Sequence, residues 1–149
     1  MKSIQEIQQE VATKNIDAFS RFLRVASLCN AQVTNLSSLA RDAGVARSTV
    51  QGYFQALEDT LIGTWLPSWT HKVRIKEISH PKFFFSDCGV ARVLSGKIRR
   101  ELEAVDRGFL LETYVYHELR AWREYQNNQA VISYWKTKDS EVDFIVELG

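Results

Sequence analysis

Residues 36 to 59, LSSLARDAGVARSTVQGYFQALED, constrain the fold of this chain more than any other stretch, because two helical stripes flank a single glycine. Leu36, Leu39, Ala40 and Ala43 make the first stripe, and Val50, Phe54 and Leu57 make the second. Gly44 supplies the freedom of φ that a tight turn needs. The pattern predicts a helix-turn-helix whose short helices share one core. The outward face of the second helix carries Arg47, Ser48, Gln51, Gln55 and Glu58, residue types that reach phosphates or base edges in a major groove. Within this unit two arginines, Arg41 and Arg47, stand against three acids, Asp42, Glu58 and Asp59. It therefore lacks the basic footprint of a strong phosphate binder, and a protein-docking unit is the alternative reading.

The rest of the chain places strands after these helices. An N-terminal amphipathic helix and a second periodic segment, residues 17 to 29 with Phe19, Phe22, Leu23, Ala26 and Cys29 on one side, precede the helix-turn-helix. Residues 61 to 66 (LIGTWL) and 83 to 85 (FFF) are short, aromatic and β-prone, bounded by Pro67 and Pro81. Three helices and two strands in this order predict a winged helix. The connection HKVRIKEISHPK carries Lys72, Arg74, Lys76 and Lys82 against Glu77, so it reads as a basic wing able to lie along phosphates, or as a solvated hairpin. A short helix and a charged connector around Gly96 follow, and the domain boundary is placed there, giving units 1–95 and 96–149. Asp106 is expected to cap a helix running to about residue 125, with Leu111, Val115, Leu119 and Trp122 buried. The strands VISYW and EVDFIVEL close the chain. The expected class is α+β.

With 149 residues, 45% of them hydrophobic, and a formal net charge of +1, the chain can build a core but is not drawn to nucleic acid or membrane by bulk charge. Cys29 and Cys88 show no paired spacing, which suits reduced thiols in a cytoplasmic protein. No apolar run approaches the roughly 20 residues of a membrane span.

Catalytic patterns fail on the residues that carry their chemistry. Residues 91 to 98 imitate a phosphate loop at Gly96-Lys97, yet Ala91 replaces its first glycine and Ile98 its hydroxyl residue, so no nucleotide should bind. His117-Glu118 opens a zinc motif that Ala121 leaves without its second histidine, making His117 a surface residue. Carboxylates are more informative. Glu112 lies on the long helix, and Glu141, Asp143 and Glu147 alternate along the last strand, so all three share one face. Gathered together, such groups could hold magnesium for phosphodiester attack, or simply face water from an edge strand. Packing Leu111, Val115 and Leu119 onto Val142, Phe144 and Val146 would bring Glu112 near Asp143, except that alternation turns Asp143 away from those residues. A sheet covered on both faces, a bulge or the sheet edge would remove the conflict.

The segments LARDAGVARSTVQGYFQALEDT, LPSW, HPKFFFSDCGVARVLSG, GFLLETYVYHEL and YWKTKDSEVDFIVEL resemble, in the same order, successive motifs of a domain of unknown function at the C-terminus of prokaryotic AAA-type ATPases. The resemblance implies a winged helix followed by a PD-(D/E)XK nuclease-like part, with Glu112 at the helix position and Asp143 at the first strand position. It also implies a fragment, since the ATPase module and the family's lysine-bearing strand have no counterpart here, leaving an exposed sheet edge suited to homo-oligomerisation. The expected function is non-enzymatic recognition of DNA or a protein partner, with DNA contacts at Arg47, Ser48, Gln51, Gln55, Lys72, Arg74 and Lys76, no membrane and no cofactor. A PD-(D/E)XK nuclease with magnesium at Glu112 and Asp143, incomplete as a catalytic pair, is the alternative, and a transcriptional regulator a third class.

Overall fold

The computed structural model describes residues 4–69, 80–127 and 129–148, with side chains from residue 15 onward. The expected wing residues Lys72, Arg74 and Lys76 lie outside the described residues.

Helix α1, Ile4–Leu28, is one element where two periodic segments were expected. No glycine or proline interrupts residues 4 to 28, so nothing breaks the backbone ladder between them. After a turn, Asn35 caps α2 (Leu36–Ala43), its Oδ1 accepting from the amides of Ser37 and Ser38 at 3.0 and 3.1 Å. Gly44, with φ at 67°, ends that helix in the left-handed conformation and starts the turn into α3, Arg47–Asp59. Leu39, Ala40, Ala43, Val50, Phe54 and Leu57 are all buried, as the two stripes require. They close around Phe22 and Ala26 of α1, with Phe22 edge-on to Phe54 at 4.9 Å between ring centres.

The helices are followed by an antiparallel pair, β1 (Gly63–Leu66) and β2 (Lys82–Phe85). Gly63 sits so close to β2 that a Cβ there would meet a Phe83 ring carbon at 2.3 Å. Every residue of β2 is buried. Phe83 and Phe85 enter the core of the helices, whereas Phe84 enters a second core with Ala31, Leu66, Tyr116, Ile132 and Tyr134.

Asp87 caps the short helix α4 (Cys88–Leu94), and α5 runs from Ala104 to Tyr125. Asp106 is not the cap expected of it, since α5 begins earlier with Glu103 at that position, and Asp106 pairs instead with Lys97 at 2.7 Å. The buried stripe of α5 also differs from expectation. Thr113 and Tyr116 are buried, Phe109 and Leu119 are partly buried against the second core, and Leu111 is 63% exposed. A polar residue forms part of the true stripe because Thr113 Oγ1 donates back to the Phe109 carbonyl at 2.7 Å and accepts from Asn30 Nδ2 at 2.9 Å.

Strands β3 (Val131–Lys136) and β4 (Glu141–Glu147) form the second antiparallel pair. Between Ser133 paired with Ile145 and Trp135 paired with Val142, β4 carries one residue more than β3, a bulge at Asp143 and Phe144 opposite Tyr134. One edge of β3 is covered by residues 67 to 69, with Tyr134 N donating to the Pro67 carbonyl at 3.1 Å. Among the described residues β4 is paired only with β3. The molecule is α+β, helical first and stranded at its C-terminal end, and no described helix is long and apolar enough to cross a membrane.

Candidate functional site

Lys82 opens the buried strand β2 and is 2% exposed, so it is not part of a solvated wing. A buried ammonium needs partners, and three carboxylates supply them. Its Nζ lies 3.1 Å from Glu112 Oε2, 2.7 Å from Glu141 Oε1 and 4.0 Å from Asp143 Oδ1. The Tyr134 ring lies beneath it, 5.1 Å from ammonium to ring centre.

Each partner arrives for a local reason. Asn30, in the turn after α1, accepts from the Phe85 amide at 2.9 Å while donating to Thr113, so one side chain ties β2 to α5. That link holds the neighbouring Glu112 over Lys82. The β4 bulge does the rest: Glu141 before it and Asp143 within it lie beside the ammonium, and Phe144 within it and Val146 after it pack on the second core. Of the three outcomes left open by the alternation, a bulge is the one adopted. Glu147 ends opposite the exposed Val131 and takes no part, contrary to the expectation that it shares a face with Glu141 and Asp143. Lys136 pairs with Glu141 as well.

The charges are mutually adjusted. Burial opposes the positive charge on Lys82, but Glu141 and Glu112 more than offset it, and its pKa stands above the ordinary lysine value. Burial keeps the Glu112 carboxyl above its usual range despite the ammonium it shares. Glu141, more exposed and bonded by Lys136 and Lys82, lies below. The cluster borders a cleft of about 280 Å³ lined by Ala31, Val33, Lys82, Glu112, Lys136 and Glu141.

Carboxylates of this kind suit a hard cation chemically, and here the Lys82 ammonium stands between Glu112 and Glu141 and offsets part of the cluster's negative charge. Among the described residues no group of three or more His, Cys, Asp or Glu is arranged to hold a metal ion. As arranged, the carboxylates hold an ammonium. The ammonium beside Glu112 and Asp143 comes from β2, ahead of the helix, and not from a lysine-bearing strand after β4 of the kind the resemblance implies. The available signal was a lysine heading a continuous apolar run, KFFF, which marks a buried charge. His117, expected at the surface, is half-buried with Nε2 2.8 Å from the Phe85 carbonyl.

The second feature is the outward face of α3. Arg47, Ser48, Gln51 and Gln55 are all exposed, opposite buried Val50, Phe54 and Leu57. Gln55 Nε2 donates to Asp59 Oδ1 at 2.9 Å. Residue Ala46 offers no side-chain cap, so the first amides of α3 have no capping oxygen from it.

A family model for a domain of unknown function, DUF8612, matches residues 4–101, more than half of the chain. The chain belongs to the DUF8612 family. In this DUF8612 protein the matched stretch holds α1 to α4, including α3 and Lys82, and a model for a second domain of unknown function, DUF4143, matches residues 107–149, where Glu112, Glu141 and Asp143 lie. No curated protein and no solved structure matches the chain. The Lys82 cluster therefore joins the two matched regions.

Proposed function

We propose that this chain is a non-enzymatic binding module, the C-terminal region of an AAA-type ATPase, that recognises nucleic acid through α3 of a winged helix. The observation that carries this reading is the composition of the free face of α3. Arg47 and Ser48 stand at an uncapped helix N-terminus, where amides and dipole favour phosphate, and Gln51 follows one turn on. Gly52 adds to it: this exposed helical glycine has no atom of the described residues within 4 Å of where a Cβ would be, so nothing among them demands the loss of a side chain. A backbone that must come close to a partner does. The ammonium among Glu112, Glu141 and Asp143 supports the non-enzymatic half of the reading, because those carboxylates already have a counter-charge.

Fluorescence anisotropy with labelled duplexes over a salt series tests it. Binding should be weak and tolerant of sequence, with a log–log salt slope no steeper than about −4, the value for four phosphate contacts by Arg47, Lys72, Arg74 and Lys76. Arg47→Glu should remove most of it. No binding to any duplex at low salt would overturn the nucleic-acid reading in favour of a protein partner.

One observation favours a PD-(D/E)XK nuclease instead: Glu112 and Glu141 line an open cleft beside Lys82, and Asp143 lies 4.0 Å from the same ammonium. Incubation with linear and circular DNA in magnesium or manganese decides between the two. Cleavage that vanishes in both Glu112→Ala and Asp143→Ala would replace the non-enzymatic reading.

A further inference from the structure

Helix α5 turns one side to the second core and leaves the other bare. Along that bare side Arg107, Leu111, Tyr114, Glu118, Trp122 and Tyr125 succeed one another at intervals of three and four residues, and all are exposed. Tyr114 is 60% and Tyr125 88% exposed. An unbroken stripe with three aromatic residues is unusual on a free helix face.

The stripe is graded. On the stripe itself the N-terminal end is small and carries Arg107, with Ala104 and Gly108 beside it, and the C-terminal end is bulky and carries Glu118, with Trp122 and Tyr125 beyond it; off the stripe the helix has Asp106 in its first turn and Arg123 in its last. Gly108 is the telling residue. It lies in the second turn of a long helix, where glycine weakens the helix, and a Cβ on it would meet no atom of the described residues within 4 Å. Nothing among the described residues requires its smallness, which leaves room for something that approaches from outside.

We propose that α5 is a self-association surface that takes α5 of a second copy, antiparallel, about a two-fold axis near Tyr114 and Val115. Antiparallel pairing sets unlike ends together. Ala104 receives Tyr125 of the second copy, Gly108 lies beneath its Ala121, and Arg107 reaches between its Trp122 and Glu118, meeting a ring face and a carboxylate together. Parallel pairing would set arginine against arginine and stack the bulky ends while the small ends gape. The helix dipoles add to the preference for the antiparallel arrangement. A patch of about 370 Å² per copy follows from roughly 200 Å² for each of the three aromatic side chains scaled by its exposure, which is less than half the ~800 Å² per partner of a tight complex. The dimer is therefore weak and concentration-dependent. Self-pairing through the β4 edge is disfavoured by comparison, since an antiparallel pair centred on Phe144 sets Glu141 opposite Glu147.

Sedimentation velocity of the full chain from low micromolar to near-millimolar concentration tests the proposal, with circular dichroism as a check on folding. The wild type should shift from monomer to dimer within that range. Gly108→Leu should raise the melting temperature of the monomer and abolish the dimer, a combination that damage to the fold cannot produce. Arg107→Glu and Glu118→Arg should each weaken association by tenfold or more, and the double exchange should restore it. A chain that stays monomeric throughout, a dimer that survives Gly108→Leu and so uses another surface, or a double exchange that fails to rescue would each overturn the proposal.

Discussion

Asn30 and Thr113, far apart in sequence, share a buried hydrogen bond of 2.9 Å from Nδ2 to Oγ1, and the same asparagine accepts from the Phe85 amide. Through it the turn after α1, the strand β2 and the helix α5 are fixed to one another, and with them the distance between Lys82 and Glu112. Removing either partner should strand the other without water to replace it. Asn30→Ala is expected to cost about 2 kcal/mol, and Asn30→Ala with Thr113→Val less than the sum of the single changes. Urea unfolding of the four proteins of the cycle measures this.

Lys82 is the only cation placed within reach of Glu112 by an ion pair among the described residues, so its loss leaves a half-buried carboxyl alone. Lys82→Met should destabilise the chain by about 3 kcal/mol, near the lower end for a broken buried pair because Glu141 and Asp143 keep access to water. Adding Glu112→Gln should recover part of that loss. Chemical denaturation at neutral pH reads both effects.

The two glutamates give acid stability opposite signs. Glu141 lies below its ordinary value in the folded chain, so its contribution is present above the unfolded carboxylate range and is lost as pH falls through the folded value. Glu112 lies above, so protonating it favours the folded state, and its contribution grows as pH falls. The cluster as a whole should then be only mildly acid-sensitive. Glu112→Gln removes the compensating group and should steepen the loss of melting temperature below about pH 5, the upper end of the carboxylate range. Lys82, raised, should hold its contribution until pH climbs past the ordinary lysine value. In an absorbance titration Tyr134, pushed up to about 12 by burial and by Glu141, should ionise late.

Gly63→Ala should be among the most damaging small substitutions. The added methyl would overlap the Phe83 ring and approach the Phe84 carbonyl at 2.9 Å, and Phe83 cannot move because Phe54 and Trp65 lie against it. A loss of about 2–3 kcal/mol follows from overpacking of this degree. Gly52→Ala, by contrast, has open space and should stabilise the chain slightly. Paired thermal melts compare them.

What the sequence disclosed was local. The stripes of α2 and α3, the turn at Gly44 and the paired strands at the C-terminal end all rest on residues within a turn or two of one another, and each formed where expected. What it concealed depends on distant partners. Lys82 reads as one more charge in a basic loop until α5 and β4 are laid over it. Leu111 reads as core because apolar periodicity cannot see that Thr113, satisfied by Asn30, can be buried in its place. The bulge at Asp143 and Phe144 has no composition of its own, and without it no count along the strand puts Asp143 beside Lys82 and Phe144 on the second core.

Strand β2 is only four residues long, yet Phe83 and Phe85 belong to one core and Phe84 to the other. It is a party wall: neither room can lose it and stand. Heat, denaturant or a mutation that frees β2 opens both at once, so the α1–α3 core and the β3–β4 hairpin should exchange their slowest amide protons at a common rate. A change in how firmly α3 is held is then felt at Lys82, and the reverse, without any pathway beyond three consecutive phenylalanines.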